Sequence, residues 1–194
     1  DVQDSYVRNG FKKKKVTQLF MGAAGDANKK YATLFTDETN KFNKQLDPED
    51  ASTIHTVDTN MRSTIIPNAV KDSSNNNILE YIKKCRESFN ALRKLDNSNE
   101  VMKIIVKCTE DLYSKFKSDL YKKINDGIKE LGDNYYEVYN KYKSKMGVYI
   151  HTCISISILS VVVETMQKGI KTDTNQESYW GCQPTKTLKA GPFD

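Results

Sequence analysis

VMKIIVKCTEDLYSKFKSDLYKKINDGIKEL, residues 101–131, decides the fold class. Val101, Ile105, Cys108, Leu112, Phe116, Leu120, Ile124, Ile128 and Leu131 recur at steps of three and four, which lays one apolar stripe along a long helix. Gly132 follows where a left-handed cap ends such a helix. Upstream, Ile78, Ile82, Cys85, Phe89 and Leu92 form a second stripe with Asn77 placed to cap it, and the tight polar connection 96–99 joins the two. Downstream, Asp133 caps a third helix carrying Tyr135, Val138, Tyr139, Tyr142, Met146, Tyr149, Ile150 and Cys153, with Gly147 inside the pattern. Connections this short make neighbouring helices antiparallel.

Toward the N-terminus, Val16, Leu19, Phe20, Ala23, Ala27, Tyr31, Leu34, Phe35, Phe42 and Leu46 predict a helix over 13–45. Gly22 and Gly25 each weaken it by about 1 kcal/mol relative to Ala and mark a place for a kink. Asp47 and Pro48 start a new helix, which Ala51, Ile54, Val57, Met61 and Ile65 continue until Pro67 closes it. The polar stretch 71–77 reads as a loop.

CISISILSVVV, residues 153–163, alternates like a strand yet continues a helical stripe without a break. It is expected to be a helix buried nearly all round, its serines bonding back one turn and Gly169 ending it. The expected fold is all-α: a disulfide-stabilised antiparallel bundle of about five helices in a single domain over 1–194. Within it lie N-terminal helices at 13–66, a three-helix core at 77–169 and an irregular tail at 170–194.

The length of 194 residues suits one core. Only 38% of residues are hydrophobic, but eleven Tyr and seven Phe supply more bulk than a disordered chain carries. No uninterrupted run approaches eighteen apolar residues, so no membrane-spanning helix is expected. Thirty Lys and Arg against 25 Asp and Glu give a net charge of +5, too mild for a dedicated nucleic-acid binder. The basic blocks Lys12-Lys13-Lys14-Lys15, Lys83-Lys84-Arg86 and Lys141-Lys143-Lys145 read as solvated helix faces, or as docking points for an anionic glycan or lipid.

The cysteines are Cys85, Cys108, Cys153 and Cys182. His151-Thr152-Cys153 lacks the further ligands of a tetrahedral site, and no metal is expected. An even cysteine count fits an oxidising compartment, and the polar start at Asp1 fits a mature secreted chain. Cys85 and Cys108 each lie about 17 Å from the turn near Asn97, on inward stripes, so they are expected to pair. Cys153 and Cys182 are left to pin the tail.

The usual nucleophile-elbow, phosphate-loop, zinc-protease and dinucleotide-binding motifs are absent, and neither a catalytic residue nor a cofactor is expected. Asp47, Glu49 and Asp50 are the acidic first turn that a helix dipole favours. Tyr135, Tyr136, Tyr139 and Tyr142, beside Lys141 and Lys143, form a candidate interface together with Lys12, Lys13, Lys14 and Lys15, because Tyr buries much area at little rotamer cost. The same tyrosines also read as a snorkelling core edge. In texture, with Lys-, Asn- and Tyr-rich amphipathic helices and four spaced cysteines, the chain resembles secreted helical proteins of insects, including salivary ones. That resemblance implies action on a host or on small ligands outside the cell. The six-cysteine pattern of insect odorant-binding proteins is absent. The expectation is therefore a secreted, non-enzymatic binder of an extracellular protein or anionic glycan. Its alternative is a carrier of a small hydrophobic ligand in a cavity of Phe116, Leu120, Ile156, Leu159 and Val162.

Overall fold

The computed structural model describes residues 2–73, 78–92 and 98–182, with side chains at 16–72, 78–87 and 99–169. Every element among them is helical: α1 (Val2–Asn43), α2 (Ala51–Asn60), α3 (Ile66–Ser73), α4 (Leu79–Leu92), α5 (Ser98–Leu131), α6 (Asp133–Tyr142) and α7 (Gly147–Cys182). Three long helices form the centre. Phe35 and Met21 of α1 meet Tyr149 and Gln167 of α7, so these two run antiparallel. Tyr113 and Tyr121 of α5 meet His151 and Gly147 of α7, again antiparallel.

Each long helix buries the stripe its sequence prescribes. Phe20, Ala23, Ala27 and Tyr31 face inward from α1; Ile105, Leu112, Leu120, Ile124 and Ile128 from α5; Ile150, Ile154, Ile158, Val162 and Met166 from α7. Burying one such aliphatic side chain contributes roughly 1.5–3 kcal/mol. Gly22 and Gly25 leave α1 unbroken, and neither has a neighbour for a Cβ to meet.

Several boundaries differ from expectation. α1 begins at Val2, well before Lys13. The expected third helix splits: a 3-10 turn at Lys143–Lys145 and an irregular Met146 separate α6 from α7, and α7 packs against both α1 and α5. Gly132 sits at φ 134°, where only glycine is comfortable, and separates α5 from α6 as its position predicts. The connection at 96–97 and the loop residues 74–77 lie outside the described residues.

The segment 153–163 is helix, but its burial is one-sided: Ile154, Ser155, Ile158, Leu159 and Val162 are buried while Ser160 is exposed and Ile156, Ser157, Val161 and Val163 are half-buried. Thr152 bonds back to the Val148 carbonyl at 2.8 Å, whereas the buried Ser155 hydroxyl has no partner among the described residues. Gly169 does not end the helix. It lies where the Arg86 side chain crosses α7, and a Cβ there would collide with it. The helix runs on through 170–182, where an irregular tail was expected, and 183–194 lie outside the described residues. Cys153 and Cys182 therefore stand on one helix about 40 Å apart at 1.5 Å per residue, so a disulfide between them cannot close.

Gly147–Gly169, 23 residues, is long and apolar enough to cross a membrane by length and composition, contrary to the sequence expectation. Interspersed Ser, Thr and His break the uninterrupted run without lowering its average much. Half of the most apolar stretch is buried in the bundle.

Pro67 does not close its segment either. A π-turn at Met61–Ile65 joins α2 to α3, and the Ile66 N–H reaches back to the Met61 carbonyl. Proline lacks an N–H and its ring clashes with the carbonyl four residues earlier. The widened turn relieves that clash and lets the helix continue. Ile65, carried on the turn, packs over Gly127 of α5, where a Cβ would stand 2.8 Å from Ile65 Cγ2.

Candidate aromatic cleft

Phe35 and Phe42 on α1 and Tyr142 and Tyr149 at the two ends of the α6–α7 junction build a continuous aromatic ladder. Phe35 and Tyr149 lie 5.5 Å apart, Phe42 stacks on Tyr149 at 6.0 Å, and Phe42 meets Tyr142 edge-on at 6.0 Å. Such pairs contribute about 0.5–1.5 kcal/mol beyond area burial.

The ladder's two hydroxyls are each held by a carboxylate. Tyr142 donates to Asp50 Oδ2 at 2.6 Å and accepts from the Asp47 N–H at 3.0 Å. Lys141 Nζ bridges Asp50 Oδ2 at 2.7 Å and Asp47 Oδ2 at 3.1 Å. The hydrogen bonds from Lys141 and Tyr142 hold the Asp50 carboxyl below its ordinary range. Asp47 occupies the expected cap position but uses its carboxylate on Lys141, without a side-chain cap bond. Eight positions along, Tyr149 donates to Asp58, whose oxygens also take Arg62 Nε at 3.1 and 3.0 Å and Arg62 Nη2 at 2.9 Å. The Arg62 guanidinium lies 5.2 Å from the Phe35 ring centre, a cation–π distance.

Two hollows flank this second anchor. One, of about 290 Å³, lies between α1 and α2 and is walled by Phe42, Leu46, Ile54, Met146 and Tyr149, with His55 and Asp58 at its edge. The other, of about 340 Å³, opens between α1, the π-turn and α7. Phe35, Ile66, Pro67, Cys153 and Ile156 wall it, and Arg62, Ser157 and Ser160 form its polar lip. Burial pushes the Cys153 thiol up to about 12, so it serves as an apolar wall. Apolar walls with a few convergent polar groups are the usual make-up of a small-molecule site.

The sequence-derived candidates are distributed differently. Tyr139 and Tyr142 are buried, and Tyr135 and Tyr136 are half-buried against the core. Tyr139 donates to Asn125 at 3.2 Å, and burial raises its pKa to about 12. Lys141 is occupied by Asp47 and Asp50, while Lys143 lies over the Tyr139 ring at 6.0 Å. Lys12, Lys13, Lys14 and Lys15 ride on α1, their side chains outside the described residues. Of the proposed cavity set, Leu120, Leu159 and Val162 are buried in the core, Phe116 packs at its edge, and Ile156 alone lines a described hollow. His151 stacks on Tyr113 at 3.8 Å, and burial lowers its pKa.

Cys85 and Cys108 lie on neighbouring helices α4 and α5, but both are free thiols, so the disulfide expected between them is not formed. Tyr81, one turn before Cys85, donates to Asp111 at 2.8 Å, one turn after Cys108, which fixes the antiparallel register. The neighbouring Cys108 thiol lowers the pKa of the half-buried Cys85, while Cys85 and burial raise that of the buried Cys108. Lys107 Nζ binds Asp111 at 2.7 Å beside them.

Reasoning from sequence missed Phe35, Asp58 and Arg62. The available signal was an Asp and an Arg four apart, one turn before a proline in an otherwise helical pattern. Comparison of the chain with protein-family models, with curated proteins and with solved structures found no match.

Proposed function

We propose that the chain is a binding protein for a small amphipathic molecule, an apolar or aryl body with an anionic end, held in the cleft between α1, the π-turn and α7. The observation that carries this reading is the 340 Å³ hollow with apolar walls and Arg62 on its lip. Arg62 spends Nε and Nη2 on Asp58, and its Nη1 carries no hydrogen bond among the described residues, so it can meet an incoming carboxylate or sulfonate. Ser157 and Ser160 add hydroxyl donors at the same edge. Ligand burial between Phe35 and Ile156 would supply the affinity, and the arginine the orientation.

What supports this reading over a macromolecular face on α6 is the disposition of that face: its central tyrosines are in the core and Lys141 is neutralised. A secreted setting remains part of the proposal as the composition suggests it. The test is titration with 8-anilinonaphthalene-1-sulfonate, an aryl sulfonate of suitable size, with decanoate as competitor. Saturable fluorescence enhancement, displaced by decanoate and weakened at least tenfold by Ile156→Asp or Arg62→Ala, is the expected result. Enhancement that both variants leave unchanged overturns it.

A further inference from the structure

Cys85 and Cys108 lie outside the cleft, and their arrangement has a chemical consequence of its own. Cys85 is half-buried on α4 and Cys108 is 1% exposed on α5, so only one member of the pair is open to a reagent. The Tyr81–Asp111 bond sets the register that places Cys85 on α4 opposite Cys108 on α5. Lys107, on the exposed side of α5, favours a thiolate at Cys85, while Asp111 opposes it and Tyr81 and Lys107 share that carboxylate. A thiol within reach of a low-molecular-weight disulfide, with a second thiol placed opposite it on the neighbouring helix, has the layout of an attacking and a resolving cysteine.

We infer that Cys85 and Cys108 are a dithiol site for thiol–disulfide exchange, in which Cys85 attacks a small-molecule disulfide of the oxidised-glutathione class and Cys108 resolves it into an α4–α5 disulfide. In the first step the Cys85 thiolate bonds to one sulfur of the reagent, and the other sulfur leaves as a thiolate. Cys108 then gives up its proton, its sulfur bonds to that of Cys85, and the second glutathione sulfur leaves and is protonated. The protein dithiol loses two hydrogens and two electrons, and the reagent becomes two thiols. Cys153 takes no part, being buried on α7 in an apolar wall.

The experiment is mass spectrometry of the full chain after incubation with oxidised glutathione, with peptide mapping under non-reducing conditions. The expected product yields a Cys85–Cys108 linked peptide, lighter by two hydrogens than the two reduced peptides, with no glutathione on either of these residues. Cys108→Ala should stop at a mixed disulfide on Cys85, and Cys85→Ala should leave residue 108 unmodified. Circular dichroism of both variants checks that the helices are retained. A persistent glutathione adduct on Cys85 of the unsubstituted chain, a link from Cys85 to Cys153, or an adduct on Cys108 in the Cys85→Ala variant would each overturn the assignment. So would the absence of any reaction at Cys85 in folded protein.

Discussion

Asp50 and Asp58 perform the same local task in different surroundings. Each accepts a hydrogen bond from a tyrosine of the aromatic ladder and each is matched by one cation. Asp50 draws its lysine from α6, ninety-one positions away, and so ties the start of α2 to the far side of the bundle. Asp58 draws its arginine from its own helix, four positions on, at the π-turn. Both flank the ladder, but the second opens onto both hollows, whereas Asp50, Lys141 and Tyr142 of the first line neither. A cation supplied from another element closes the structure; a cation supplied locally leaves a donor available to a ligand.

Phe42 is the ring common to both anchors, and removing it should have the largest effect. Phe42→Ala should cost about 3–5 kcal/mol in urea unfolding and loosen both tyrosines together. A loss confined to one tyrosine's environment, read by side-chain NMR, would show that the ladder does not couple them. Gly127→Val presses on Ile65 under the Asp58 side alone. It should cost about 1–3 kcal/mol and weaken binding in the cleft; a destabilised protein with unchanged sulfonate affinity would remove the π-turn from the binding account.

Tyr149→Phe deletes one hydroxyl and should cost about 1 kcal/mol, measured by the same unfolding curves. Arg62→Ala separates stability from binding most cleanly. Its exposed ion pair should contribute less than about 1 kcal/mol to folding, yet its loss should abolish selectivity for anionic over neutral amphipaths. The smallest effect concerns pH. Asp50 is depressed in the folded state, so its contribution is present above the ordinary aspartate range near 3.9 and is lost as pH falls through its lower folded value. Asp50→Asn should flatten that acid limb of the stability profile and leave the profile above pH 5 unchanged.

The stripes of α5 and α7 were legible because burial follows periodicity directly, and the facing of Cys85 and Cys108 followed from counting turns along two helices. The cleft was not legible. It depends on how a proline is accommodated: read alone, Pro67 says stop, whereas the π-turn before it lets the helix pass and carries Arg62 to the mouth of the hollow. The split at Met146 was hidden for a similar reason, since a phase change between two helices of like composition leaves the apolar spacing almost intact. The α6 tyrosines show the converse. Their number suggested a surface, but a side chain with an apolar body and a polar tip can bury its ring and bond its hydroxyl, as Tyr139 and Tyr142 do.

Amide chemical-shift mapping of the full chain with 8-anilinonaphthalene-1-sulfonate tests the central claim most directly. Saturable shifts are expected at Phe35, Arg62, Ile66, Cys153 and Ser157, around the hollow beside the Asp58 anchor, with the Asp50 anchor unaffected. Shifts centred instead on Tyr135, Tyr136 and Lys143 of the α6 region, with the cleft silent, would contradict it.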